Sequence, residues 1–272
     1  MTTGPTPGRL RLLAESLARE AGTLAAEGRR AHGPGGLAHD TKSSVTDPVT
    51  EFDRAAEELL ARRLTERRPD DAIVGEEGTS RDGTTGLEWH LDPIDGTVNY
   101  TYGLPAWSTS VGVRDAAGVV AGAVFVPMLG ELFSAARNAG ASLNGTPLTV
   151  SAATELSVSL MATGFSYDRD TRRAQIRRLV TVVDATRDVR RSGSAAIDLC
   201  WVAAARVDAY FEERLNSWDM TAGELIAAEA GAVVTDHDGS ARTTDRILAS
   251  APGIHAAMID LLARSPQVSR LT

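Results

Sequence analysis

Apolar residues recur every three or four positions near the start of the chain, and this spacing predicts two helices. The first covers residues 9–27, where leucine and alanine alternate with charged residues. The second follows Asp47 and Pro48, which suit a helix N-cap and first turn, and its apolar face includes Phe52. A mostly antiparallel sheet is then predicted by apolar runs at 72–74, 108–114, 119–126 and 131–136, with a polar loop at 79–87 and a turn at Asn144-Gly145.

From about Ser151 the pattern changes to alternating strands and helices, which predicts helices packed on a sheet. The candidate strands are 160–164, 188–191, 207–212, 233–235 and 247–250, and the candidate helices are 171–185, 195–205, 219–230 and 254–263. The predicted fold class is therefore α/β in the broad sense (α+β). It has an N-terminal α+β part at 9–150 and a C-terminal α/β part at 151–272. Residues 1–8, rich in Thr, Pro and Gly, predict a disordered tail.

The composition of the chain disfavours nucleic acids and membranes as partners. The chain has 272 residues and a net charge of −8, without the basic stripe that a nucleic-acid partner would require. No apolar stretch approaches the roughly 18 residues of a membrane span, so no membrane partner is expected. The single cysteine, Cys200, permits no intramolecular disulfide, which favours a cytoplasmic location. Its apolar neighbours predict a buried residue rather than a reactive thiol.

The most informative stretch of the chain runs from Trp89 to Thr97. An apolar run stops at Asp92, a proline stiffens the turn, and Asp95 follows. Two carboxylates on one bend repel each other unless cations lie between them, and Mg²⁺ prefers such oxygen ligands. Gly96 then suits the start of a helix, whose backbone N–H groups attract an anion. Paired metal ions beside a helix N-terminus predict a phosphate-ester hydrolase.

Further acidic residues stand where an apolar or aromatic run gives way to a turn. Glu76 and Glu77 follow one such run and Asp219 follows another. Taken singly, the glutamates are typical of surface charges and Asp219 is typical of a helix N-cap. Their common position at the ends of elements, shared with Asp92, predicts that they meet at one edge of a sheet.

Several motifs occur together in one order along residues 9–263. They are Lys42-Ser43-Ser44, Asp47-Pro48-Val49-Thr50 with Asp53, Gly75-Glu76-Glu77, Trp89 to Tyr102, Arg191 to Ala196, and Trp218 to Gly223 continuing to Gly231-Ala232. With these motifs the chain resembles the inositol monophosphatase family of lithium-sensitive, Mg²⁺-dependent sugar phosphatases. Among its members, the chain is most similar to the bacterial inositol-1-monophosphatase type.

The resemblance implies a role for each site residue. The metal ligands would be Glu76, Asp92, the carbonyl group of Ile94, Asp95 and Asp219, with Asp92 bridging two Mg²⁺ ions. The catalytic residues would be Glu76 and Thr97, which orient the attacking water, and Asp53, which with Glu77 lies near a more weakly held third ion. The substrate would be bound by Asp95, Gly96, Thr97, Gly193, Ser194, Ala195, Glu212 and Asp219, with Glu212 accepting hydrogen bonds from inositol hydroxyl groups.

The resemblance also implies a fold and a reaction. The fold would be a layered αβαβα sandwich of the sugar phosphatase type, assembled as a homodimer, with the metal site between its two parts. Metal-activated water would hydrolyse myo-inositol monophosphate to inositol and phosphate. The same chemistry on histidinol phosphate, fructose-1,6-bisphosphate or a nucleotide 3′-phosphate stays open. A role in binding the transcription machinery is the alternative of another class, but the acidic balance and the full set of carboxylates favour an enzyme.

Two positions depart from the family pattern. Thr221 stands where alanine or cysteine is usual, and its added hydroxyl beside Asp219 raises a question about packing near the second ion. Ser194 replaces a threonine and keeps the hydroxyl group. Other phosphatase routes are disfavoured, because His90 is interpreted as structural and Cys200 lies outside any phosphate-cradling loop.

Overall fold

The computed structural model describes residues 5–33, 37, 40–41, 48–242 and 245–265. Its helices are α1 (Pro7–Ala31), α2 (Glu51–Arg67), α3 (Thr97–Tyr102), α4 (Arg169–Ala185), α5 (Ala195–Ala203), α6 (Ser217–Glu229) and α7 (His255–Arg264). Its strands are β1 (Asp40–Thr41), β2 (Pro48–Val49), β3 (Ala72–Gly75), β4 (Ser80–Arg81), β5 (Glu88–Asp95), β6 (Ser108–Asp115), β7 (Gly118–Val126), β8 (Glu131–Ala136), β9 (Ala141–Leu143), β10 (Thr146–Pro147), β11 (Leu160–Thr163), β12 (Asp188–Arg190), β13 (Ala209–Glu213), β14 (Val233–Thr235) and β15 (Arg246–Ser250).

The first half of the chain forms an eight-stranded sheet in the order β10-β9-β8-β7-β6-β5-β3-β4. All its neighbouring strands run antiparallel except β3 and β5, which are parallel. Alternate residues of a strand point to opposite faces. Trp89 and Leu91 of β5 accordingly pack in one apolar cluster with Leu17 of α1 and Leu60 of α2. These two helices therefore cover one face of the sheet.

The second half forms a five-stranded sheet in the order β12-β11-β13-β15-β14. Here too the strand residues divide between two faces. Phe211 and Leu248 pack with residues of α4 and α7. Tyr210 and Ala249 pack instead with residues of α5 and α6. The sheet is thus covered by helices on both sides, as the alternating pattern after residue 151 predicts.

Helices α5 and α6 form the middle layer between the two sheets, and the αβαβα sandwich is confirmed. Both helices also contribute to an apolar cluster with β7 and β8 of the first sheet. Helix α6 packs closely over two glycines of the first sheet, since a Cβ atom at Gly122 would lie 2.8 Å from Ala222 Cα, and one at Gly112 would lie 2.5 Å from Thr221 Cγ2. Thr221 is buried there, and its hydroxyl donates to Ser217 O at 2.6 Å. The unusual threonine therefore fits the packing.

Some predicted boundaries were wrong. Helix α2 begins at Glu51 with Thr50 as its N-cap, and Pro48 lies in β2 rather than in the first turn. Helix α1 begins at Pro7, so residues 7 and 8 of the predicted tail belong to it; residues 1–4 lie outside the described part. The predicted polar loop at 79–87 contains the short strand β4.

Cys200 is buried in the middle layer, as its apolar neighbours predict. Among the described helices, none is both long enough and apolar enough to cross a membrane.

Candidate active site

Strand β5 carries both carboxylates of the acidic bend, and a β-bulge brings them to one side. Asp92 lies opposite Ser110 of β6 and Asp95 opposite Ser108, so three steps on one strand match two on the other. Residues three apart in a regular strand would face opposite ways, and the extra residue of a bulge corrects this. Both side chains line one cavity. The sequence places them in a turn after the strand, whereas they lie within it.

Glu76 reaches the same cavity from the end of β3. Because β3 runs parallel to β5, the Glu76 N–H donates to Leu91 O at 3.1 Å, directly beside Asp92. The buried carboxylate of Glu57 on α2 accepts from the backbone N–H groups of Glu77 (2.7 Å) and Thr79 (2.8 Å) and so holds this segment in place. Sequence reasoning missed Glu57, since one acid on a helix is usually solvated.

Asp219 enters the cavity from the first turn of α6. The N-cap of this helix is Asn216 rather than Asp219, which corrects the sequence prediction. Asp219 instead occupies the third helical position and accepts from the Asn216 N–H at 2.6 Å, forming a capping box. Burial raises the pKa of Asp219 well above its usual range, and the nearby charges of Glu76 and Asp95 raise it further.

Asp95 is hydrogen-bonded to the start of α5. Its Oδ2 accepts from Ser194 Oγ at 2.6 Å and from the Ala196 N–H at 2.7 Å. Ser194 is the N-cap of α5, and its Oγ also accepts from the Ile197 N–H at 3.2 Å. The hydroxyl group that serine retains at position 194 therefore both donates and accepts a hydrogen bond. Burial nevertheless raises the pKa of Asp95 to about 6, because these donors compensate only part of the lost hydration.

Thr97 and Asp53 are neighbours below the acidic bend. Thr97 begins α3, as predicted, after Gly96 at φ +96°. Its Oγ1 lies 3.0 Å from Ile94 O and 3.3 Å from Asp53 Oδ1, and can donate to either. The other oxygen of Asp53 accepts from Thr50, whose backbone N–H lies at 2.8 Å and hydroxyl at 2.5 Å. Asp53 is thus fixed behind Thr97.

Glu212 lies near the end of β13 and faces the same cavity. It is partly buried, and its Oε2 accepts from the hydroxyl of Tyr210 at 2.7 Å. Gly164 leaves the room for this carboxylate, because a Cβ atom at Gly164 would lie 1.9 Å from Glu212 Oε2. Burial raises the pKa of Glu212 to about 7. Its surroundings suit a hydrogen-bonding partner in the cavity.

These segments enclose a cavity of about 320 Å³. All the predicted metal-binding and substrate-binding residues line it, namely Glu76, Asp92, Ile94, Asp95, Gly96, Thr97, Gly193, Ser194, Ala195, Glu212 and Asp219. Asp53 is not among the lining residues, but its Oδ1 lies 3.3 Å from the hydroxyl oxygen of Thr97, which is. The lining also includes Arg191, which begins one of the predicted motifs, and Asp198, Arg214 and residues 164–168, to which the sequence assigns no role. The predicted motif residues Lys42, Ser43, Ser44 and Asp47 fall outside the described residues.

The charge of the cavity wall suits a cation. Among the described lining residues, seven are acidic and two are arginines. The raised pKa values of Asp95, Glu212 and Asp219 follow from burial without enough compensating positive charge. As the described side chains stand, no three His, Cys, Asp or Glu residues form a closed metal-binding group, and one oxygen each of Asp95 and Asp219 is already bonded to protein donors. The remaining carboxylate oxygens are hard donors of the kind Mg²⁺ prefers, so the residues fit such an ion.

The metal-free protein is expected to lose stability as the pH rises from 6.5 to 8. Folded Glu212, with its pKa of about 7, keeps a proton that the unfolded chain has already lost. That proton stabilises the fold, and it is released as the pH passes 7. Asp95, with its pKa of about 6, also loses its proton as the pH rises, and it lowers stability mainly at the lower end of this pH range. Burial lowers the pKa of His237 to about 4, so His237 contributes mainly below pH 6.5 and with the opposite sign.

Urea unfolding in EDTA at the two pH values would measure this change. A decrease of about 1 kcal/mol is expected for Glu212. The control is the same pair of measurements with saturating Mg²⁺, where an ionised acid cluster paired with cations should reduce the decrease. Metal-free protein that is more stable at pH 8 than at pH 6.5 would contradict the electrostatic description of the cavity.

The chain is similar to known proteins along almost its whole length. The family model described as the inositol monophosphatase family matches residues 9–267. The inositol-1-monophosphatase SuhB of Mycobacterium tuberculosis is 45% identical over 277 residues, covering 95% of this chain and 94% of the relative. The Nus factor SuhB of Pasteurella multocida is 38% identical over 242 residues, covering 87% and 89%. The solved inositol monophosphatase of Anabaena (Nostoc) sp. PCC 7120 has a TM-score of 0.83 and 33% identity, covering 94% and 96%.

Proposed function

The chain belongs to the inositol monophosphatase family of phosphoric monoester hydrolases, and we propose that it hydrolyses myo-inositol monophosphate to inositol and phosphate with Mg²⁺ as cofactor. One observation carries the proposal. Glu76, Asp92 and Asp219 come from three separate elements and line one cavity, together with the hydroxyl-bearing Thr97. The name of the Mycobacterium tuberculosis relative supports the choice of substrate.

The residues that would hold Mg²⁺ are Glu76, Asp92, the carbonyl group of Ile94, Asp95 and Asp219. Bound divalent cations neutralise phosphate charge, help water lose a proton and stabilise the leaving oxygen. Asp53 and Glu77 would lie near a weaker third position, since Asp53 contacts Thr97 and Glu77 follows Glu76 in the chain. The excess of acid in the lining supports this assignment, because without cations it would repel a phosphate ester.

Thr97 and Glu76 orient the attacking water in this proposal. The threonine hydroxyl lies between two acceptors, Ile94 O and Asp53 Oδ1, and donates to one of them at a time. Its lone pairs then face away from those acceptors, where they can accept a hydrogen bond from water. Asp53 acts through Thr97 as a positioning residue. The backbone N–H groups of Gly96 and Thr97 hold phosphate oxygens.

The sugar occupies the side of the cavity that Glu212 lines. Glu212 accepts hydrogen bonds from the hydroxyl groups of the polyol, and residues Gly193, Ser194 and Ala195 form the adjacent wall. Gly193 adopts φ +96°, and a Cβ atom there would lie 2.7 Å from the Asn99 amide nitrogen. A side chain at this position would therefore displace the wall. Arg191 lies close enough to lower the pKa of Glu212, which favours its charged, accepting form.

A panel of phosphate esters, assayed with and without Mg²⁺, tests the proposal. We expect kcat/KM for inositol 1-phosphate to exceed that for histidinol phosphate, fructose-1,6-bisphosphate and a nucleotide 3′-phosphate by about 10-fold or more, since Glu212 selects polyol hydroxyl groups. EDTA should abolish turnover, Mg²⁺ should restore it, and millimolar Li⁺ should inhibit it. A higher kcat/KM on another ester would identify that ester as the substrate, while the proposed metal-dependent hydrolysis would stand. Full turnover in EDTA would contradict the chemistry itself.

A second role is suggested by the Pasteurella multocida relative, which is named a Nus factor. Under this alternative the chain also binds the transcription machinery, and Asp92→Asn would abolish hydrolysis while keeping co-purification of RNA polymerase subunits.

The proposed assembly is a homodimer, and the proposed location is the cytoplasm. The exposed side chains of Tyr102, at the end of α3, and Leu104, just after it, support a dimer because they offer apolar surface that a second copy could cover.

A further inference from the structure

A chain of hydrogen bonds joins strand β5 to the first turn of α6. His90 Nε2 lies 2.8 Å from Glu88 Oε1, and His90 Nδ1 lies 2.8 Å from Ser217 Oγ. The imidazole is almost completely buried. The bond between His90 and Ser217 therefore links the sheet of the first half directly to a helix of the second half.

The direction of each hydrogen bond follows from its partners. An ionised carboxylate can only accept, so the Nε2 atom of His90 carries a hydrogen and donates it to Glu88. The neutral ring then leaves Nδ1 as an acceptor, and the hydroxyl of Ser217 donates to it. The hydrogen bond is thus specific to a hydroxyl group at 217 and a ring nitrogen at 90.

This pair stands next to two of the acids that line the cavity. His90 is two residues before Asp92 on β5, and therefore on the same face of the strand. Ser217 is two residues before Asp219 on α6, and its carbonyl oxygen accepts from the hydroxyl of Thr221. Consequently the side-chain bond connects the two backbone segments that bring Asp92 and Asp219 together.

We infer that His90 and Ser217 are positioning residues whose hydrogen bond fixes the separation of Asp92 and Asp219 and so prepares the cavity for divalent cations. This inference rests on the proposed function. The order carboxylate, imidazole, hydroxyl is also that of a hydrolase relay. However, the described lining of the cavity includes Asn216 and Asp219 but not Ser217, so the hydroxyl does not reach the reacting groups.

The physical reason is preorganisation. Asp219 shares one cavity with Glu76 and Asp95, and like charges in one cavity repel each other, so the bond to His90 helps to hold the start of α6 near β5 before a cation binds. Without the bond, a cation must first draw the helix back, and that ordering reduces its affinity. Once the ions are bound, the acids return to the same places. Metal affinity should therefore fall while kcat at saturating Mg²⁺ changes little.

Calorimetric titration of metal-free protein with Mg²⁺ tests this directly, without any turnover. We expect Ser217→Ala and His90→Phe each to raise the Kd for Mg²⁺ by about 10-fold, the size seen when a group supporting a metal ligand is removed. The double variant should be no weaker than either single variant, because each substitution already removes the bond between positions 90 and 217. Ser217→Thr, which keeps the hydroxyl, should stay within about twofold of wild type.

The chain offers a matched control. Ser250 Oγ lies 2.7 Å from His255 Nδ1, the same pair of atoms at almost the same distance, between β15 and α7. Ser250 is buried, but neither residue lines the cavity. Ser250→Ala should therefore lower the melting temperature in EDTA as a lost buried bond does, yet leave the Kd for Mg²⁺ unchanged.

Wild-type affinity in Ser217→Ala, equal weakening in Ser250→Ala, or additive effects of the two site substitutions would each overturn the inference. If Ser217→Ala does not fold, as judged by circular dichroism in EDTA, His90→Phe decides by the same criterion. Asp92→Asn separates a failure of the inference from a failure of the proposed function. If wild type binds Mg²⁺ no better than Asp92→Asn, the proposed function fails along with the inference; if only Ser217→Ala matches wild type, the inference alone fails.

Discussion

Replacing Asp92 with asparagine is expected to lower kcat by about 10³-fold or more, equivalent to roughly 4 kcal/mol of transition-state stabilisation. Asparagine keeps the shape of the side chain and removes its charge. Asp92 lies at the centre of the acidic lining, on the bulge of β5 and beside the end of β3. A neutral group there would weaken the hold on both proposed cations, and no other acid of the bulge can replace it because Asp95 Oδ2 already accepts from α5.

The same substitution should leave the fold intact. It removes one charge from a crowded acid cluster, so the metal-free melting temperature should equal or exceed that of wild type. Steady-state kinetics on inositol 1-phosphate and thermal unfolding in EDTA would measure the two effects. Asp184→Asn, on the exposed face of α4, is the matched control and should change neither. Near-normal turnover of Asp92→Asn in Mg²⁺ would show that the site is assigned to the wrong residues.

Replacing Gly122 with valine is expected to produce the largest loss of stability, about 3 kcal/mol, or a melting temperature lower by about 8 °C. A Cβ atom at this position would lie 2.8 Å from Ala222 Cα and 3.0 Å from Ala222 Cβ. The first of these contacts is with backbone, which cannot rotate away, so α6 must move off the first sheet. Because α6 also carries Asp219, the affinity for Mg²⁺ should fall together with stability.

Urea unfolding and calorimetry would follow these two quantities for the Gly122 variant. Gly8→Ala provides the comparison, since a Cβ atom at Gly8 meets nothing within 4 Å and alanine favours the first turn of α1. It should be neutral or slightly stabilising. Wild-type stability in Gly122→Val would mean that the middle layer packs less closely on the sheet than described.

The layered fold was predictable because long elements carry a clear period. The alternation after residue 151 indicates a sheet covered by helices, and the structure confirms it. The start of α2 was not predictable in the same way. Asp47-Pro48 competes with Thr50 and Asp53, whose capping box begins the helix, and both pairs are plausible signals in the sequence. Strands β1, β2 and β4 have two residues each and therefore no period to detect.

The site was predictable where acids end apolar runs. Asp92, Glu76 and Asp219 all line the cavity. What the sequence did not reveal is how they are held. The bulge in β5 depends on pairing with β6, and Glu57 acts through backbone groups that lie 20 and 22 residues away. Arg214 lines the cavity with its backbone in the left-handed region, at φ +68°. No residue next to it in the sequence predicts this conformation.

Asp198 could have been noticed from the sequence. An acid inside the apolar, alanine-rich segment of α5 is costly to bury unless it has a role or a partner. It is buried and lines the cavity, and burial raises its pKa well above the usual range. A search for single acids within apolar helices would have added it to the candidate residues.

Anomalous diffraction from crystals soaked in Mn²⁺, which substitutes for Mg²⁺ at oxygen-ligand sites, would locate the bound ions in the cavity. The acids of both halves of the chain are predicted to share the same ions. We expect anomalous peaks inside the cavity, with Asp92 next to more than one of them and with Glu76 and Asp219 each next to at least one. A cavity without peaks, or peaks that leave Asp219 unliganded, would show that the acids of the two halves do not bind the same ions.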